Sequence, residues 1–312
     1  MIPPPAPPGL FDLQVNGFAG VDFQTPPSLA ALRCACEKLH ACGTTRILVT
    51  FITDSFAALR AKLRAFETLR SEDPLLASTL AGYHLEGPFL SAEPGFCGAH
   101  PPALMRDPDW HAFSALQEAA GGAIRLVTLA PERPGSADFI QRATHSGVRI
   151  SLGHTDASAS QIDEAIQAGA TLCTHLGNGC PALLHRHENI IQRLLCRDEL
   201  MACLIPDGIH LPPPVLRSLF RAKPPGKVLL TTDAMAAAGA PPGRYALGPL
   251  SMEVGADLVV RMPNAPQFAG SALRLDWGVH HAAAWLGIPV EDARAMASTL
   301  PSDPPLPTRT PS

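Results

Sequence analysis

The sequence has no apolar run approaching the roughly 20 residues that a membrane-spanning helix needs. It also has no excess of either charge: 24 basic and 28 acidic side chains give a formal net charge of −4. That balance leaves no electrostatic footprint for nucleic acid and no polybasic patch for a lipid surface. A small molecule is therefore the expected partner. The first nine residues, Met1 to Gly9, are proline-rich and lack both a charged segment and an apolar core, so they do not form a secretory signal. The eight cysteines contain no CxxC pair, and the nearest two, Cys34 and Cys36, fall inside a helical pattern. Free thiols in the reducing cytoplasm are expected, rather than a disulfide framework or a cysteine metal site. Nothing resembles a nucleophile elbow, and no long low-complexity linker divides the chain.

What is present is an alternation of short apolar, β-branched runs with longer segments of helical period, the pattern of a parallel sheet with crossover helices. Eight such runs are readable: Gly9–Asn16, Thr45–Ile52, Ala81–Leu90, Ile124–Ala130, Gly147–His154, Ala170–Leu176, Leu200–Ile205 and Lys227–Asp233. Eight strands in this rhythm predict an α/β fold, a closed (β/α)8 TIM barrel over residues 9–300. A proline-rich stub, residues 1–8, precedes it, and a disordered tail is expected over 301–312. Thr25 with Pro26 is expected to open one helix that Gly43 closes, Asp54 to cap a second, and Thr155 or Asp156 to start a third. After the eighth run, Arg244–Met262 reads as a short β-hairpin, followed by helices at Ala272–Leu286 and Glu291–Thr299.

The polar residues fall at the ends of these runs. Asp12, Gln14 and Asn16 close the first, His84 and Glu86 the third, His154 the fifth, and His175 with Asn178 the sixth. Asp207 and His210 follow the seventh, and Asp233 closes the eighth. In a parallel barrel the C-terminal strand ends share one mouth, where barrel enzymes build their sites. Residues two apart on a strand share a face, so Asp12, Gln14 and Asn16 form one inward set and His84 with Glu86 another. Leu13, Val15, Tyr83 and Leu85 are then expected to face the helices.

A catalytic zinc-type site takes about three protein ligands and keeps one position open for water. Glu86, His154 and His175 offer an oxygen and two nitrogens from three barrel strands, and Asp233 sits across the mouth. A lone histidine at a strand end is more often a hydrogen-bonded structural residue. His40, His111, His145, His280 and His281, in predicted helices, are read as surface or packing residues. For Glu86 the structural alternative is weaker, because a carboxylate ending an apolar strand is costly to bury unpaired.

These segments also carry a family resemblance. Asp12-Leu13-Gln14-Val15-Asn16-Gly17, Gly82-Tyr83-His84-Leu85-Glu86-Gly87-Pro88-Phe89, Gly98-Ala99-His100 and Ser151-Leu152-Gly153-His154-Thr155 come first. They are followed by Thr174-His175-Leu176-Gly177-Asn178, Asp207-Gly208-Ile209-His210, Thr232-Asp233-Ala234-Met235 and Ala269-Gly270-Ser271-Ala272-Leu273. In this order they resemble the signature segments of the N-acetylglucosamine-6-phosphate deacetylases of the amidohydrolase superfamily. The resemblance implies a metal-dependent hydrolase barrel that removes the acetyl group of an amino sugar in carbohydrate metabolism. It implies one divalent metal per chain, Zn2+ before Fe2+, held by Glu86, His154 and His175. Asp233 matches the general base and acid, and His210 a catalytic, substrate-binding residue that polarises the carbonyl. His100, Asn178, Gly179 and Arg186 match positions that hold the sugar and its phosphate. Arg186 follows His175 by eleven residues, as the family's phosphate-binding arginine does. Gln14 and Asn16 stand where binuclear relatives place two metal-binding histidines, and neutral amides are poor ligands beside imidazole and carboxylate.

Two departures accompany the match. The small β-sandwich that brackets the family's barrel is largely missing here, and the loop from Cys180 to Asn189 differs from the usual one around the arginine. An uncovered barrel surface predicts a homodimer. Three alternatives stay open on the residues alone. The first is a hydrolase of the same barrel acting on another N-acetylated or cyclic amide. The second is an inactive sugar-binding homologue, and the third a metal-free phosphate-binding barrel enzyme.

Overall fold

The structure, a computed structural model, describes residues 8–262 and 269–302. Eight strands form the central sheet: β1 (Leu10–Val15), β2 (Thr44–Ile52), β3 (Leu80–Glu86), β4 (Ile124–Leu129), β5 (Arg149–Leu152), β6 (Leu172–Cys173), β7 (Met201–Leu204) and β8 (Val228–Leu230). They pair in sequence order, every ladder parallel. The seam between β1 and β8 is closed by a Val15–Ala234 bridge and by the Asn16 amide donating to the Ala234 carbonyl at 2.7 Å. Asp12 stitches the same seam: Thr231 Oγ1 and Thr232 Oγ1 donate to its carboxylate at 2.7 and 2.6 Å. The barrel expected from the eight runs is therefore present.

The later strands end sooner than their apolar runs. His154, His175 and Asp233 have φ of 51°, 29° and 52°, left-handed values that a β ladder cannot accommodate. The chain leaves the sheet just before each of them, so β5, β6 and β8 stop at Leu152, Cys173 and Leu230.

Inside the barrel the side chains form layers. Phe11, Leu13, Leu48, Leu126, Leu172, Cys203 and Leu229 make an apolar floor. Two residues further along their strands, Thr50, Thr128 and Thr174 form a polar girdle with His84 and Ser151. Thr128 Oγ1 lies 2.7 Å from both His84 Nε2 and Thr174 Oγ1, and Thr174 Oγ1 lies 2.6 Å from Ser151 Oγ. Burial lowers the His84 imidazole to about 4, so it is neutral there. Val15, Tyr83 and Leu85 pack toward the helices as expected. Leu13 does not: it joins the floor, because a register shift between Asp12 and Val15 breaks the alternation of β1.

The helices are α1 (Leu29–Ala41), α2 (Phe56–Glu72), α3 (Pro74–Thr79), α4 (Trp110–Ala119), α5 (Ser136–His145), α6 (Ala159–Ala168), α7 (Ile190–Leu195), α8 (Pro213–Ala222), α9 (Leu275–Leu286) and α10 (Val290–Met296). Their starts correct three expectations. Serine caps each of the three helices: Ser28 for α1, Ser55 for α2, and Ser158 for α6, the last in a capping box with Gln161. Asp54 instead pairs with Lys62 at 2.9 Å, while Thr155 Oγ1 and the Asp156 amide are both taken by Glu132. The five histidines assigned to helices lie in α1, α4, α5 and α9. The expected C-terminal hairpin, β9 (Gly243–Leu247) and β10 (Leu250–Val254), gains a third strand, β11 (Val260–Arg261). The stub to residue 7 and the tail from residue 303 lie outside the described residues. Pro301 and Ser302, expected in a disordered tail, belong to a 3-10 turn whose Pro301 is buried.

Candidate metal-centred active site

The C-terminal strand ends deliver Glu86, His154 and His175 to one point. Glu86 is the last residue of β3; His154 and His175 each follow their strand by two residues. Glu86 Oε1 lies 3.0 Å from His175 Nε2 and 3.3 Å from His154 Nε2, and the two Nε2 atoms are 3.1 Å apart. All three residues are buried, and their donor atoms lie within 4.8 Å of one another. Left-handed φ at a non-glycine residue costs on the order of 1–3 kcal/mol, and such cost tends to persist where a side chain must be aimed. A Cβ at Gly179 would lie 3.0 Å from His175 Cε1 and 3.1 Å from His154 Nδ1, so only glycine lets the backbone pass this close to both rings.

The donor set fits a cation. His154 Nδ1 is 2.7 Å from the Phe96 carbonyl and therefore carries the proton of the neutral ring. Its Nε2 lone pair then faces the Glu86 oxygen and His175 Nε2. A single proton on His175 Nε2 cannot serve both neighbours, whereas a divalent ion takes all three lone pairs. Burial by itself would raise the Glu86 carboxyl, but its contacts with His154 and His175 outweigh that and hold it well below the ordinary carboxylate range. Among the described residues His175 Nδ1 is buried with no hydrogen-bond partner.

Asp233 faces this cluster from the end of β8. Gln14 Nε2 and Asn16 Nδ2 both donate to its Oδ1, at 3.0 and 2.7 Å. Burial, reinforced by the Glu86 carboxylate, pushes Asp233 up to about 8. Two carboxyls in one mouth thus have opposite tendencies: Glu86 is held ionised, and Asp233 retains a proton readily, the division of labour expected of a ligand and an acid–base group. Gln14 and Asn16, at the end of strand one, thus touch the site through Asp233.

A cavity of about 410 Å3 opens over these groups, lined also by His100, Asn178, Gly179 and His210. His210 is set by Asp207: the ring Nδ1 lies 2.6 Å from Asp207 Oδ2, and the amides of Ile209 and His210 donate to Oδ1 at 2.8 and 2.7 Å. Burial works to raise Asp207, but these bonds with His210 prevail and keep it below its ordinary value. His100, matched to sugar binding, stands beside the cluster, with Nε2 4.0 Å from Glu86 Oε2. The Thr53 amide donates to its Nδ1 at 3.3 Å, which places the ring proton on Nε2. Burial and the neighbouring His154 lower it to about 3, so it is a neutral donor. Asn178 turns the chain after His175, its amide donating to the His175 carbonyl at 2.9 Å. Arg186 is not brought to the cavity: it is exposed on the loop whose residues Cys180, Pro181 and Ala182 do line it. The sequence reading missed Asp207 as the group that sets His210 and the Phe96 carbonyl as the group that sets His154. The Asp-Gly-Ile-His spacing carried a signal for the first; a carbonyl 58 residues away left none for the second.

A (β/α)8 barrel whose mouth gathers two imidazoles and a carboxylate able to hold a metal ion, with a second carboxyl facing them, defines a metal-dependent hydrolase. No protein-family model matches the chain. It is 35% identical to the N-acetylglucosamine-6-phosphate deacetylase of Bacillus subtilis (strain 168) over 276 residues, covering 88% of this chain and 68% of that one. It is 37% identical to the Mus musculus enzyme of that name over 305 residues, covering 95% and 73%. A solved mutant of N-acetyl-D-glucosamine-6-phosphate deacetylase from Mycobacterium smegmatis, in complex with N-acetyl-D-glucosamine-6-phosphate, superposes with a TM-score of 0.82. Its identity is 33%, with 94% of this chain and 78% of that one covered. The chain belongs to the N-acetylglucosamine-6-phosphate deacetylase family.

Proposed function

We propose that the protein hydrolyses the acetamide of N-acetylglucosamine 6-phosphate to glucosamine 6-phosphate and acetate. The observation that carries this reading is the convergence of Glu86, His154 and His175 opposite Asp233 in one buried mouth. Glu86, His154 and His175 are the residues proposed to hold one divalent metal, Zn2+ before Fe2+, a donor set that suits either. When bound, such an ion acidifies a water molecule and polarises a carbonyl. Asp233 takes the proton of the attacking water as a carbon–oxygen bond forms at the acetamide carbon. It returns that proton to the leaving nitrogen as the carbon–nitrogen bond breaks, so one carboxyl acts as base and then as acid. His210, fixed by Asp207, is proposed to meet the acetamide oxygen as its charge develops. His100, Asn178 and Gly179 are proposed to shape the sugar site, and Arg186 to read the phosphate from the rim.

One observation favours a second reading, a different N-acetylated sugar: among the described residues no arginine or lysine lines the cavity. Acetate release from a panel of N-acetylhexosamines, phosphorylated and not, decides between them. The first reading expects a clear preference for the 6-phosphate. We also propose a cytoplasmic homodimer. Eight cysteines, all free in the structure, support a reducing compartment. Among the described residues no helix is long and apolar enough to cross a membrane.

A further inference from the structure

Gln14 and Asn16 are conspicuous for where their side-chain amides point. Both are 2% exposed, and both spend an amide N–H on the same atom, Asp233 Oδ1. No other side-chain hydrogen bond reaches that carboxylate among the described residues. Asn16 makes this contact while its own Oδ1 stays buried without a partner. An apolar side chain of the same shape would avoid that desolvation cost, and a native orphan of this kind calls for a reason.

The backbone around the contact is rigid. The Asn16 amide donates to the Ala234 carbonyl, one residue past Asp233, and Ser271 donates its amide to the Asp233 carbonyl at 2.8 Å. Asp12 ties the residues just before Asp233, Thr231 and Thr232, to strand β1. Donors and acceptor therefore sit on one closed seam and cannot drift apart without opening the barrel.

We propose that Gln14 and Asn16 are positioning residues that commit Asp233 Oδ1 and so assign proton transfer to Oδ2 alone. With two N–H groups on Oδ1, a proton placed there would meet a donor hydrogen. Oδ2 has no such neighbour and is the oxygen that takes the water's proton and returns it to the leaving nitrogen. The inference rests on the deacetylase reading and on the role given there to Asp233.

The test is a double-mutant cycle on the metal-loaded full chain, using Gln14→Met and Asn16→Leu, which keep volume and remove the donor. In the wild-type background each lowers kcat by about 10-fold or more, while KM stays within about 2-fold. Metal content and Tm stay near wild type. In the Asp233→Asn background the same changes cost less than about 2-fold further, because the group they act through is already disabled. Gln14→Ala and Asn16→Ala repeat the cycle and give the same non-additivity. Equal losses in both backgrounds, or wild-type kcat in any folded variant of either residue, overturn the proposal. Wild-type turnover in Asp233→Asn alone overturns the reading of Asp233, and this inference with it. Absence of acetate release by the unaltered enzyme overturns the deacetylase reading first.

Discussion

Asp233→Asn separates the acid–base role of this residue from every structural one. Asparagine matches the volume of aspartate and is among the few non-glycine residues that tolerate a left-handed φ, here 52°. Its amide oxygen can still accept from Gln14 Nε2 and Asn16 Nδ2, now at 3.0 and 2.7 Å from Oδ1. Glu86, His154 and His175 are untouched, so metal content is expected to stay near that of the wild type. Stability is expected to hold or rise slightly, since a buried carboxyl already pushed up to about 8 is replaced by a neutral group. What is lost is the ability to take a proton. Positioned acid–base catalysis contributes roughly 10²–10⁴-fold, and Asp233 serves in both transfers, so kcat should fall toward the upper end of that range. The assay is acetate release at saturating substrate, with elemental analysis and thermal unfolding on the same preparation. Turnover close to wild type, or loss of the metal with the activity, would refute the assignment.

Three further outcomes are expected. Glu86→Gln removes the only carboxylate of the cluster, so bound metal should drop far below one ion per chain and activity should vanish with it; elemental analysis after gel filtration checks this. In the metal-free protein, folded Asp233 keeps a proton up to about pH 8 that the unfolded chain gives up near 3.8. The native state therefore binds the extra proton, and this contribution to stability declines as pH rises through that window. Asp233→Asn should flatten the fall in Tm between pH 5 and 8, and an unchanged slope would count against the shift. Arg186→Ala should raise KM for the 6-phosphorylated substrate far more than for the unphosphorylated sugar, because a guanidinium reads phosphate through paired hydrogen bonds. Equal effects would remove Arg186 from substrate recognition.

The barrel was legible because its signal is distributed: eight apolar runs alternate with segments of helical period, and six of the runs carry polar residues at or just past their ends. Glu86 and Asp233 were recognisable as carboxylates ending apolar runs, where burial without a purpose is costly. The points where the reading fell short are local. The shifted register of β1 put Leu13 into the floor, a one-residue effect that period counting cannot detect. The serine caps lay one to three residues past the residues singled out, because capping depends on which hydroxyl reaches the first free amides. Left-handed backbone at His154, His175 and Asp233 leaves no mark in residue type, yet it determines where three strands stop. Gln14 and Asn16 were readable only as amides at the end of an apolar run; their shared hold on Asp233 Oδ1 spans more than 200 residues and emerged only in the folded chain.

The central claim is that one metal, held by Glu86, His154 and His175, serves one acid–base carboxyl. Titrating chelator-stripped protein with Zn2+ while following acetate release from N-acetylglucosamine 6-phosphate tests it most directly. Activity should rise linearly and break sharply at about one equivalent per chain. A break at two equivalents, or full activity before any metal is added, would contradict the account.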